Sequence, residues 1–167
     1  MALSSESTGL LDISGIKHLK NGRVGIVYTE WNDKFINEQL AGAHRIIEQT
    51  ENTIVKEVIV PGCFEIPHAC KALYEAYKDS EQPIEAIVAY GVVIRGGTPH
   101  FEYVSEAVTM GITQLNVTLP IPVIFGVLTL NNEEQAWERL GGIHGHKGEE
   151  AMIAALKMIQ MKEDLKK

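Results

Sequence analysis

Ile84-Glu-Ala-Ile-Val-Ala-Tyr-Gly-Val-Val-Ile-Arg-Gly-Gly-Thr-Pro-His-Phe-Glu-Tyr103 carries the reading of the fold. The run from Ile84 to Ile94 is apolar almost throughout, so the strand it predicts is buried on both faces. Gly96-Gly97 ends it with a turn in which backbone can approach a ligand closely. Thr98 suits a helix cap and Pro99 the first helical position, opening a long helix predicted over Pro99–Val117. A doubly buried strand that passes through a glycine turn into a helix belongs to a parallel sheet.

The same alternation extends in both directions. Upstream, Arg23-Val-Gly-Ile-Val-Tyr-Thr29 reads as a strand, and Asn32-Asp33 offers a cap for a helix carrying Phe35, Ile36, Leu40, Ala43, Ile46 and Ile47 at helical spacing. Ile54–Val60 is a further strand, stopped by Pro61-Gly62, and Ile66–Tyr77 a further helix. Downstream, Ile121–Leu130 is a strand, Asn131-Asn132 caps a short helix to Leu140, and Gly148–Lys162 is the last helix. The order βαβαβαβαα predicts an α/β fold, a three-layer α/β/α sandwich around a mainly parallel, flavodoxin-like sheet of four strands. Residues 1–20 read as a flexible N-terminal arm and 21–167 as a single domain. Open sheets of this kind bind ligands beyond the carboxyl ends of their strands, which directs attention to the segments after Thr29, Val60, Val93 and Val127.

Bulk composition narrows the function. With 45% hydrophobic and 22% charged residues, the 167-residue chain can bury a core. A net charge of -7 argues against a nucleic-acid partner, which would need clustered Lys and Arg. It leaves room for a phosphorylated small molecule. Cys63 and Cys70 form no CxxC pair, so neither zinc nor redox chemistry is signalled. The first residues do not read as a signal peptide and no apolar run approaches a membrane span, so a soluble, cytoplasmic protein without a membrane partner is expected.

The strand ends hold the candidate chemistry. Trp31 stands in a loop, where it reads either as a loop anchor or as a stacking platform for a planar heterocycle. Glu65 reads either as a helix-terminal capping carboxylate or as an acceptor for a ligand's N–H and hydroxyl groups. The turn at Gly96-Gly97-Thr98 delivers free amides and the positive end of a helix dipole, a setting for phosphate; it is not a P-loop, because the GK[ST] ending is absent. His100, in the first turn of that helix, can pass protons near neutral pH. Arg95 reads as a surface ion-pair former. Phe125 is expected half in the core and half in a pocket wall. Arg139 reads as a phosphate partner or as a cation at a helix end, and Lys147 as a ligand-side cation or a solvated charge. His144 and His146 read as loop residues, since their spacing is not a metal-binding pattern.

Taken together these segments resemble the lumazine synthase family. The resemblance rests on Arg23-Val-Gly-Ile-Val with Trp31-Asn32, Val60-Pro-Gly-Cys-Phe-Glu-Ile-Pro67, Gly91 to Tyr103, Phe125-Gly-Val127, Glu138-Arg139 and His144-Gly-His-Lys-Gly148, in that order along nearly the whole chain after residue 20. It implies condensation of 5-amino-6-(D-ribitylamino)uracil with 3,4-dihydroxy-2-butanone 4-phosphate, with no metal, nucleotide or flavin cofactor. His100 would transfer protons, and Gly97, Thr98 and Arg139 would cradle the phosphate. Trp31 would stack on the pyrimidine. Cys63, Phe64, Glu65, Val92, Val93, Ile94, Phe125 and Lys147 would complete the ribitylaminouracil site. Trp31, Cys63 and His146 depart from the family's usual phenylalanine, serine and asparagine.

The resemblance further implies a homo-pentamer whose active sites are shared between neighbours. The short Gly141–Gly148 connection leans toward stacking of pentamers into a 60-subunit icosahedral shell, and riboflavin synthase is the protein partner the family suggests. The competing reading is a non-catalytic lumazine- or flavin-binding or cage-forming homologue. A flavodoxin-like nucleotide binder is a third, which the lack of GxGxxG after the first strand disfavours.

Overall fold

The computed structural model describes residues 12–16 and 19–167. Four parallel strands, β1 (Arg23–Thr29), β2 (Thr53–Val60), β3 (Ala86–Ile94) and β4 (Val123–Leu130), form one sheet in the order β2-β1-β3-β4. The expected three-layer sandwich is what the chain adopts. α1 (Asp33–Glu48) and α5 (Lys147–Asp164) cover one face; α2 (Ile66–Tyr77) and α3 (His100–Thr118) cover the other. The central run behaves as read: Ala86 to Val92 are all buried, so β3 feeds both cores at once. The edge strand β2 does not, since it carries Lys56 and Glu57 and buries only Val60. Ile87 and Ala89 face α2 and α3, whereas Ala86, Val88 and Tyr90 face α1 and α5. Each aliphatic side chain so enclosed contributes about 1.5–3 kcal/mol, which is why β3 needs no polar face.

The α1–α5 layer is packed closely enough to demand glycine. A Cβ on Gly148 would lie 2.4 Å from the Gln39 carbonyl oxygen, and one on Gly42 would lie 2.3 Å from Cε1 of His146. Two buried polar side chains fasten this layer to the sheet. The Tyr90 hydroxyl donates to the Gly148 carbonyl at 2.7 Å, and Gln39 Nε2 donates to the Gly126 carbonyl at 2.7 Å. Burial pushes the Tyr90 phenol well above its usual range.

Three local expectations change. Leu140–Gly142 and Gly145–His146 pair as a small antiparallel hairpin, β5 and β6, after a short helix α4 (Glu134–Trp137). His146, read as a loop residue, is buried at the N-cap of α5. Its Nδ1 accepts from the Glu149 amide at 3.3 Å, and its Nε2 lies 3.1 Å from Glu38 Oε1. The ring fits because Gly42 carries no side chain. Thr98 is not a side-chain cap, since α3 begins at His100 with Pro99 in the cap position. Other element ends shift by one or two residues, as frayed ends do.

The expected arm over 1–20 falls largely on residues 1–11, 17 and 18, outside the described residues. In its described part, Ile13–Ile16 form a 3-10 turn, and Ile16 and Leu19 are buried in the α1–α5 core.

Candidate active site

In the order β2-β1-β3-β4 the chain turns one way from β1 to reach β2 and the other way to reach β3. The carboxyl ends of β1 and β3 therefore diverge, and a crevice opens between them. A cavity of about 590 Å³ lies there, lined by Trp31, Asn32, Pro61, Gly62, Cys63, Phe64, Glu65, Val92, Val93, Ile94, His100 and Val104. Eight predicted site residues thus share one cleft: Trp31, Cys63, Phe64, Glu65, Val92, Val93, Ile94 and His100. Gly97 and Thr98 stand in the exposed turn just before His100.

Backbone bonds hold the cleft's floor and walls. Glu30 N–H donates to the Val60 carbonyl at 2.8 Å, and Trp31 N–H to Pro61 at 3.4 Å, which carries the β1 loop across to the end of β2. Asn32 is the N-cap residue of α1, as expected, yet its side chain makes no capping bond. It sits in the left-handed region at φ 65 and sends Nδ2 to the Val92 carbonyl, 2.8 Å away. It therefore ties the Trp31 loop to β3. Its position between a strand and a helix suggested capping, and nothing in the sequence signalled the contact with Val92.

Trp31 is 73% exposed and Phe64 is 64% exposed, so large aromatic surface stands at the mouth of the cleft without a core to fill. Such surface suits a planar heterocycle. Glu65 takes the capping role offered for it. Its Oε2 accepts from the Gly62 amide at 3.0 Å, which fixes the Pro61-Gly62 turn, while the residue remains exposed within the cleft lining. The Cys63 thiol is buried. It packs against β3, where a Cβ on Gly91 would meet its Sγ at 2.6 Å. Burial pushes it up to about 12, against a smaller opposing hydrogen bond with the Val92 backbone.

None of the twelve residues lining this cleft is Lys or Arg. The predicted cations stand elsewhere. Phe125, Arg139 and Lys147 line a second groove of about 520 Å³ that runs along the outer edge of β4 against α5. Arg139 Nη1 donates to the Gln135 carbonyl at 3.0 Å, the helix-end contact foreseen as one of its two roles. Lys147 Nζ reaches both oxygens of Glu150, at 2.8 and 2.7 Å. Glu150 escaped notice in the sequence, although its spacing three residues past Lys147 on a helix was visible there. The single chain thus carries the predicted site as two halves, a cleft with an imidazole and aromatics, and a groove with cations. Among the described residues no cluster of His, Cys, Asp or Glu could hold a metal ion.

Residues 21–163 match the family model for 6,7-dimethyl-8-ribityllumazine synthase. A curated protein of that name from Christiangramia forsetii is 44% identical over 99% of this chain and 98% of its own length. One from Kineococcus radiotolerans is 48% identical over 82% of this chain and 83% of its own. One from Parabacteroides distasonis is 38% identical over 95% and 98%.

Proposed function

The chain belongs to the 6,7-dimethyl-8-ribityllumazine synthase family, and on that premise we propose that it is a transferase of riboflavin biosynthesis. It joins 5-amino-6-(D-ribitylamino)uracil to 3,4-dihydroxy-2-butanone 4-phosphate. The 5-amino nitrogen attacks the ketone carbon and one water leaves as the imine forms. A proton is lost from the carbon chain, the C–O bond to phosphate breaks, and inorganic phosphate departs. The enol left at the hydroxyl-bearing carbon tautomerises to a new methyl ketone, and the 6-ribitylamino nitrogen closes the ring on that carbonyl, releasing a second water and 6,7-dimethyl-8-ribityllumazine.

The observation that carries this reading is the cleft at the sheet's switch point, where exposed Trp31 and Phe64 adjoin His100 at the start of α3. Amine–ketone condensation is intrinsically easy. The protein has mainly to hold two reactants together, worth about 7–11 kcal/mol in favourable cases, and to move protons, worth roughly a hundredfold to ten-thousandfold. Trp31 would carry the pyrimidine, with Phe64, Glu65 and the Val92–Ile94 backbone alongside. The amide end of α3, with Gly97 and Thr98, would receive the phosphate. His100, adjacent to both, would shuttle protons. Cys63 would contribute chiefly its backbone, its thiol being buried.

A departing phosphate needs a cation that the cleft does not contain. We therefore assign Arg139, Lys147 and Phe125 of a neighbouring copy to complete the site, in a head-to-tail ring of five. An exposed apolar stripe on α3, Tyr103, Met110 and Val117 at seven-residue spacing, supports burial against further copies. A 60-subunit shell and an association with riboflavin synthase extend the same proposal, and the cytoplasm is the compartment it assumes. A non-catalytic binder or cage would have no use for His100 beside an anion-binding helix end.

The test supplies both substrates to purified protein and follows lumazine absorbance and inorganic phosphate together. Phosphate release no faster than the spontaneous reaction sinks the enzyme reading. Mixing His100→Ala with Arg139→Ala chains, after dissociation and reassembly, tests the shared site. Activity restored above either parent supports it and no restoration refutes it; light scattering gives the particle mass.

A further inference from the structure

Arg95 sits at the carboxyl end of β3, its amide bonded to the Leu130 carbonyl at 2.8 Å, one residue before the glycine turn. Its side chain meets three groups on either side of that turn. Nε donates to Asn131 Oδ1 at 3.1 Å, at the end of β4. Nη1 pairs with Glu102 Oε1, in the first turn of α3. The guanidinium carbon lies 4.2 Å from the centre of the Phe101 ring. The turn itself has little other support: Gly96 and Gly97 are exposed, and a Cβ at either would meet no atom within 4 Å. The Arg95 side chain therefore spans residues 96–100 and sets how the amide end of α3 and His100 are presented.

The contact has an electrostatic side. Glu102 suits the start of α3 as a helix-dipole partner, but an uncompensated carboxylate there repels any anion approaching the same amides. The Arg95 guanidinium holds Glu102 below the usual carboxylate range, chiefly through their hydrogen bond. Both side chains are about half exposed. The pair therefore adds little to stability, and its effect falls on what binds beside it.

We propose that Arg95 is a positioning residue for the phosphate-bearing substrate, bracing the glycine turn and cancelling the charge of Glu102 so that the amide end of α3 stays receptive to an anion. This rests on the reaction assigned above.

The test compares wild type, Arg95→Gln, Glu102→Gln and the double variant, measuring KM separately for the butanone phosphate and for the ribitylaminouracil, at low and high salt. Arg95→Gln is expected to raise KM for the phosphate ester at least about fivefold at low salt, less at high salt as screening sets in. KM for the amine stays within about twofold. Glu102→Gln alone leaves KM for the ester unchanged or lower, and in the double variant it recovers a substantial part of the loss. An unchanged KM in Arg95→Gln, an equal rise for both substrates, a rise in Glu102→Gln, or no recovery in the double variant overturns the proposal. Glu102→Gln changes only an exposed carboxylate, so it remains informative if Arg95→Gln folds poorly. A wild-type protein that releases no phosphate defeats the assigned reaction instead, so the two failures are distinguishable.

Discussion

Replacing Gly148 by Ala sets two effects of opposite sign against each other. Gly148 is the second residue of α5, and alanine in a helix interior is favoured over glycine by about 0.8–1.0 kcal/mol. Near a helix end that gain is smaller. Against it, the new Cβ would lie 2.4 Å from the Gln39 carbonyl oxygen and 2.7 Å from its Cα. Both are backbone atoms in the middle of α1, so no rotamer change relieves the contact. Relief requires α1 and α5 to part by several tenths of an ångström along their shared layer. The movement strains two buried hydrogen bonds, from Tyr90 to Gly148 and from Gln39 to Gly126. Overpacking of this kind costs about 1–3 kcal/mol, so steric cost wins over propensity. The expected net loss is about 1–2 kcal/mol. For a domain of this size each kcal/mol lowers Tm by about 2–4 °C, giving a fall of roughly 2–8 °C. Calorimetry of both proteins at one concentration reads it, since any assembly makes Tm concentration-dependent. An unchanged or higher Tm would refute the close approach of α1 and α5.

Three further outcomes are expected. His100→Ala lowers catalysed phosphate release by up to about a hundredfold, the low end for acid–base assistance because the condensation also runs unaided; turnover unchanged removes His100 from proton transfer. Although burial alone would raise it, Glu38 is held below the ordinary carboxylate range by hydrogen bonds from His146 and Arg45, so its contribution is present above that range and lost as pH falls through its folded value. Urea midpoints of wild type and Glu38→Gln should therefore differ at neutral pH and converge in acid; a gap that persists in acid is the contrary result. Cys63 and Cys70 are buried with thiols pushed up to about 12, so iodoacetamide should label neither in the folded protein at mildly alkaline pH and both in denaturant. Rapid labelling of the native chain contradicts their burial.

What could be read from the sequence was whatever depends on a residue and its near neighbours. An unbroken apolar run such as Ala86–Val92 reports burial on both faces by itself, and four strand-like runs alternating with amphipathic helices leave one architecture. The glycine turn before His100 and the aromatics after β1 and β2 follow from strand ends alone. What escaped was set by contacts between distant segments. The burial of His146 depends on Gly42, a hundred residues earlier, having no side chain. Asn32 is the cap the sequence offers, but its side-chain partner, the Val92 carbonyl, lies sixty residues away. The hairpin Leu140–His146 has neither the length nor the β-branched content that marks strands. The division of the predicted site into cleft and groove also depends on distant contacts. His100 opens a helix on one side of the sheet and Lys147 a helix on the other, and side assignment follows from chain crossovers, which no local pattern records.

The left-handed Asn32 leaves its codon almost no room to vary. Glycine would take the backbone angle willingly but offers nothing to the Val92 oxygen. Alanine would lose that bond and also bear about 1–2 kcal/mol for the left-handed conformation. Aspartate tolerates the angle yet would present lone pairs to a carbonyl's lone pairs. Random mutagenesis with selection for a working crevice should accordingly return asparagine here more stubbornly than tryptophan at the exposed Trp31 beside it.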